Sequence, residues 1–80
     1  MDVTSDNYKR SMIEYKARFA ARIREAQEEL GLTTAQLAEG LGVTPTSILY
    51  YRNAQRLPNL PTMVRLADIL GKSCDELMRV

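Results

Sequence analysis

Between residues 43 and 65 the chain carries Arg52, Arg56 and Arg65 and no acid. Within that stretch, Thr44-Pro45-Thr46-Ser47-Ile48-Leu49-Tyr50-Tyr51-Arg52-Asn53 gathers short hydroxyls, two aromatic rings, an amide and a guanidinium. A hydroxyl donates to or accepts from a base edge or a phosphate, and an apolar group meets a thymine methyl. A guanidinium neutralises a phosphate. This is chemistry for holding a duplex. Chemistry for breaking bonds is missing. The chain has no histidine, the commonest general base and metal ligand. Cys74 has no imidazole to activate it. The acids are scattered, and there is no glycine-rich phosphate loop or zinc spacing. A binding protein is expected, without enzyme activity, cofactor or metal.

The same residues have plainer readings. Thr46 and Ser47 stand where hydroxyls cap a helix. Tyr50 reads equally well as a half-buried surface tyrosine. An exposed Leu49 fits a thymine methyl, and it also fits packing against a partner protein.

The elements that must position these groups are helices. Tyr8, Met12, Tyr15, Phe19, Ile23, Ala26 and Leu30 recur at steps of three and four, which predicts one long first helix over 8–30. Asp6 or Asn7 is expected to cap it, and Gly31 to stop it. Thr33 with Gln36 makes a capping box for a second helix, in which Leu37, Ala38 and Leu41 face inward and Gly42 ends the run. Thr44 caps a third, with Pro45 at its first position and Ile48 and Tyr51 inward. Asn53 is expected to end it, since asparagine tolerates left-handed backbone. Asn59 caps a fourth helix that buries Met63, Val64, Leu66, Ala67 and Leu70 and stops at Gly71. Ser73 with Glu76 caps a short fifth, where Cys74 and Leu77 pack inward. Two short helices joined by the tight turn Gly42-Val43-Thr44 suit insertion of the second into a major groove.

The bulk properties agree. Eighty residues make one small domain. Sparse aromatics, glycine and proline favour helices. A lone cysteine excludes an internal disulfide and fits a reducing compartment. No apolar run is long enough for a membrane span, and the charged first thirty residues do not read as a secretion signal. A cytoplasmic protein is expected. The net charge of +1 says nothing for nucleic acid, but its distribution does. Lys9, Arg10, Lys16, Arg18, Arg22 and Arg24 face only Glu14 across residues 9–24, which predicts either a basic face or a solvated helix surface.

From about Phe19 to Met78 the chain resembles the Xre-type, phage repressor and Cro-like helix-turn-helix family. The resemblance rests on Gly31-Leu32-Thr33, Leu37-Ala38, Leu41-Gly42-Val43-Thr44 and Ile48. Beyond the loop it continues through Pro58, Leu60, Leu66-Ala67, Leu70-Gly71 and Asp75-Glu76-Leu77. It implies an all-α, five-helix, lambda-repressor-like domain over 19–80, with residues 1–18 as an extension of the first helix. It further implies a sequence-specific, repressor-like regulator on a double-stranded DNA operator, a two-fold homodimer, and a phage or mobile-element origin. The family's base-reading positions fall on Pro45, Thr46, Leu49 and Tyr50, with Ser47 beside them. Its backbone-contacting positions fall on Thr34, Thr44, Asn53 and Arg56, and Arg52 joins them by its charge.

Three positions depart from the pattern. An ion pair usual between the first and third helices is replaced by Gln27 and Arg52, which leaves Arg52 to bond Gln27 or to swing toward a phosphate. The glycine usual after the third helix is Ala54, so a different turn is expected there. The first reading position is Pro45, which cannot bond a base edge. A protein-interaction module reusing the fold, an antirepressor or adaptor, is therefore the competing expectation. Tyr8, Met12 and Tyr15 precede the resemblance and are expected to form a dimer face. The basic side of the same helix could instead follow the duplex. Leu77, Met78 and Val80 offer a second dimer route.

Overall fold

The computed structural model describes the backbone of residues 5–78 and the side chains of residues 8–78. It contains five α-helices and, among the described residues, no strand: α1 (Ser5–Leu30), α2 (Thr34–Leu41), α3 (Pro45–Arg52), α4 (Leu60–Leu70) and α5 (Cys74–Met78). No helix among these residues is long and apolar enough to cross a membrane. The lambda-repressor-like arrangement expected from the resemblance is present. α1 begins at Ser5, so Asp6 and Asn7 lie inside it and do not cap it.

The helix boundaries follow from two recurring local motifs. Each of α2 to α5 starts on a side chain that accepts the backbone N–H three residues on: Gln36 to Thr33 (3.1 Å), Ser47 to Thr44 (3.2 Å), Thr62 to Asn59 (3.0 Å) and Glu76 to Ser73 (3.1 Å). Gln36 and Glu76 also accept the N–H of Thr33 (2.9 Å) and Ser73 (3.3 Å), completing both expected boxes. Each of α1 to α4 ends in a Schellman turn. The N–H groups of Leu32, Val43, Gln55 and Lys72 donate back to the carbonyls of Gln27, Ala38, Tyr50 and Ala67 at 2.9–3.1 Å. The residue before each donor takes positive φ. Three are glycines, and the fourth is Ala54 at φ 59°. Asn53, at φ −91°, keeps right-handed backbone, so the left-handed residue is one position later than expected. The turn has the glycine form without the glycine, because its two hydrogen bonds, Gln55 to Tyr50 and Ala54 to Tyr51 (3.1 Å), compensate for the strain.

One core joins all five helices: Phe19, Ile23 and Ala26 from α1, Leu37, Ala38 and Leu41 from α2, Ile48 and Tyr51 from α3, Leu66 and Ala67 from α4, and Leu77 from α5. Phe19 meets Tyr51 edge to face, with centroids 5.4 Å apart. Three expectations need correction. Leu30 is exposed, because it is the last residue of α1, beyond the packed part of the stripe. Val64 is exposed and Thr62 is buried in its stead, because the inward face of α4 runs through Thr62, Leu66 and Ala67. Leu77 has no exposed surface and cannot form a dimer contact, and Met78 is half-buried against the core. Val80 lies outside the described residues.

α1 is tied to the end of the chain by polar groups. Arg18 donates to the Met78 carbonyl (3.1 Å) and Arg22 to that of Leu77 (2.7 Å). Half-buried Glu25 bridges Arg22 (3.0 Å) and Lys72 (3.2 Å). Burial pushes the Glu25 carboxyl up, but hydrogen bonds and charge from Lys72 and Arg22 outweigh that and hold it below its ordinary value. A depressed folded-state pKa gives stability that is full above the unfolded value, about 4.5, and is lost as pH falls through the lower folded value.

Two outcomes follow. The Tm advantage of the wild type over Glu25→Gln, present at neutral pH, shrinks as pH falls below the unfolded value and through the lower folded one. Ala54→Gly removes the positive-φ penalty and raises unfolding free energy by about 1 kcal/mol, read by urea denaturation. An unchanged or lowered midpoint would show that Ala54 is not strained.

Candidate nucleic-acid interface

The α2–turn–α3 unit is held from several sides. Gly42 turns the chain in left-handed conformation. A Cβ there would run into the Arg65 guanidinium, which donates to the Leu41 carbonyl at 3.1 Å. Arg65, one of the cations of the acid-free stretch, thus serves the turn. Val43 packs half-buried on the core, and Thr44 starts α3 with Pro45 in its first turn.

α3 buries Ile48 and Tyr51. At about 100° per residue, the opposite side carries Thr46, Leu49, Tyr50 and Asn53, spaced i, i+3, i+4 and i+7. All four are exposed, Leu49 by 49% and Tyr50 by 39%. The structure therefore brings three of the expected base-reading residues onto one face. Pro45 and Ser47 flank it, Pro45 exposed and Ser47 half-buried. The Ser47 hydroxyl lies 3.0 Å from that of Thr44, so both hydroxyls take part in the cap. Asn53, expected as a backbone contact, shares the face with the readers. The signal for this was its i+7 spacing from Thr46.

The remaining backbone candidates separate. Thr34, at the first position of α2, accepts a hydrogen bond from Gln27 Nε2 at 3.3 Å. Gln27 Oε1 in turn accepts from Arg52 Nη1 at 3.0 Å. Of the two alternatives for Arg52, the structure shows the bond to Gln27. Arg24, expected only as part of a basic face, donates to the Arg52 carbonyl at 3.0 Å and caps the C-terminus of α3. An arginine at a helix end facing another helix end is invisible in one-dimensional spacing. Arg56 lies over the Tyr50 ring, its guanidinium carbon 4.5 Å from the centroid.

The basic face expected over residues 9–24 is reduced by these bonds, since Arg18, Arg22 and Arg24 each hold a backbone carbonyl. Lys9 and Arg10 are exposed and Lys16 half-buried. On the same part of α1, Tyr8 (62%), Ile13 (68%) and Tyr15 (41%) are exposed, and Met12 is half-buried. Tyr8, Met12, Ile13, Lys9 and Lys16 line an open depression of about 420 Å³. The first fully buried side chain of α1 is Phe19.

A helix-turn-helix family profile matches residues 23–77. The chain is 34% identical over 56 residues to the transcriptional repressor RstR of the cryptic phage CTXphi in Vibrio cholerae, a stretch that covers 70% of this chain and 50% of that repressor. It is 42% identical over 50 residues to an uncharacterized HTH-type transcriptional regulator of Methanothermobacter thermautotrophicus, covering 62% of this chain and 72% of that protein. The chain thus spans half the length of the first of these relatives. No solved structure gives a significant match.

Proposed function

Because this chain belongs to the helix-turn-helix family of DNA-binding domains, in its Xre-type, phage repressor and Cro-like group, we propose that it is a repressor-like regulator of transcription. It binds a specific double-stranded operator as a homodimer, with α3 in the major groove. The observation that carries this reading is the outward face of α3. Thr46, Leu49, Tyr50 and Asn53 stand exposed on a helix with no acid, and the turn before them is fixed by Gly42 and Arg65. Thr46, Leu49 and Tyr50 meet base edges and thymine methyls, with Pro45 and Ser47 at the margins. Thr44 and Asn53 fit backbone oxygens at the two ends of α3, and Thr34 does so at the start of α2. Arg52 bonds Gln27, which orients α3 on α1, and its exposed guanidinium stays a backbone-phosphate candidate.

In this reading residues 19–80 are the reading domain and 1–18 an N-terminal extension, whose described part belongs to α1. Exposed Tyr8 and Tyr15, with half-buried Met12 between them, are the dimer face of this proposal, supported by their place outside the chain's own buried core. Leu49 and Pro45 on the reading face favour the competing protein-interaction module, since neither donates a hydrogen bond from its side chain.

Titration of a fluorescent random duplex at two salt concentrations separates the two. The regulator binds with an affinity that falls steeply as salt rises, by a log–log slope of about −0.9 per phosphate neutralised. Silence at low salt would leave the interaction module standing. Light scattering tests the dimer. Full-length protein gives twice the chain mass, and deletion of residues 1–15 gives the single mass while the fold, read by circular dichroism, persists. A truncated protein that stays dimeric removes the α1 face from the account.

A further inference from the structure

The expected base-reading residues of α3 lack a guanine-selective donor of their own, and the Asn53 amide on the same face suits adenine. Pro45 has no side-chain donor, Thr46 offers one hydroxyl, Leu49 only methyls and Tyr50 one hydroxyl. A planar guanidinium reaches this face from outside the helix. The Schellman turn at Ala54 folds the chain back, closed by Gln55 N–H on the Tyr50 carbonyl at 2.9 Å, and the next residue, Arg56, lies on the Tyr50 ring. Both residues are exposed, so the stack is open to a ligand. A guanidinium held on an aromatic face loses less freedom when it binds, and its fork matches the paired acceptors O6 and N7 of guanine. No carboxylate is within salt-bridge distance of Arg56 among the described residues.

The geometry points to Tyr50 and Arg56 acting as one guanine-reading unit. Tyr50 is the platform, a positioning residue, and Arg56 is the bidentate donor, in place of the phosphate role that the family resemblance implies. This rests on the DNA-binding reading above and adds what it leaves open, a base preference and the residue that sets it. It also gives the left-handed Ala54 a purpose, since that turn carries Arg56 back to α3.

The test is selection of bound sites from a random duplex pool by the full chain, followed by titration of the selected site and of random duplex. The wild type selects a half-site with one guanine that Arg56→Ala loses. Tyr50→Ala loses the same guanine although Arg56 is intact, and Tyr50→Phe, which keeps the ring, retains it. Each alanine variant binds the selected site about tenfold or more weakly, the scale of one bidentate contact, and the double variant is no weaker than the worse single one. Both positions are exposed, so melting temperatures stay near the wild type. A guanine retained in Tyr50→Ala overturns the platform role. An Arg56→Ala variant that weakens selected and random duplex equally overturns the base contact and returns Arg56 to the phosphates. Either result leaves the DNA-binding reading intact, whereas a wild type that binds no duplex at either salt overturns both.

Discussion

The fold depends on a three-residue junction that ends one helix and starts the next. Gly31-Leu32-Thr33, Gly42-Val43-Thr44 and Gly71-Lys72-Ser73 all have a left-handed glycine, a residue whose N–H closes the Schellman turn, and a hydroxyl that caps the following helix. Each junction satisfies backbone groups on both sides without a loop. Its brevity fixes the angle between helices, which free chain would leave soft. In so small a core, that economy matters: few residues are ordered without contributing a cap or a buried side chain. The α3–α4 connection is the exception. It is longer, and its left-handed residue is an alanine, so strain is accepted where the chain leaves the reading helix.

The arginines explain how a chain of net charge +1 can be rich in arginine without being broadly basic. Arg18, Arg22, Arg24 and Arg65 donate to carbonyls at the ends of α5, α3 and α2. A cation at a helix C-terminus satisfies an orphan carbonyl and meets the negative end of the dipole. Arg52 continues the pattern sideways through Gln27 to Thr34, so α1, α2 and α3 share one polar chain along an edge. Where the family pattern has an ion pair, this chain has a neutral amide between a guanidinium and a hydroxyl. The contact survives because an amide both donates and accepts.

What the sequence made legible was what is local. The caps of α2 to α5, the glycine stops and the inward steps of α2 and α3 depend on residues within four positions of each other, and they stand in the structure as expected. What it obscured depends on the fold. Thr62 looks like a surface residue and Val64 a core one until α4 is rotated onto α1 and α2. Leu77 reads both as an inward residue and as a dimer contact, and only the closed bundle decides for the core. Arg24 gains its role only when the C-terminus of α3 arrives beside it. Ala54 defeats a rule based on residue type, because the turn's hydrogen bonds outweigh the preference of one residue. In the candidate site, the shared face of Thr46, Leu49 and Tyr50 was readable from spacing. The stack of Arg56 on Tyr50 was not, since it needs the turn between them.

The size of that face bears on the proposed assembly. α3 is 8 residues long and shows two turns to solvent. A good base contact is worth about 1–3 kcal/mol of discrimination, and few of the groups on this face can make one. A genome offers about 10⁶ or more competing sites, which a single short helix cannot outvote. Two copies on a symmetric site double the discriminating contacts without enlarging the domain. On the bundle itself Leu60 and Val64 of α4 stay exposed, while Leu77 has gone to the core. The protruding half of α1 is where exposed apolar surface is concentrated, with Tyr8, Ile13 and Tyr15. On this reasoning the extension of α1 and the thinness of the reading face are two sides of one constraint.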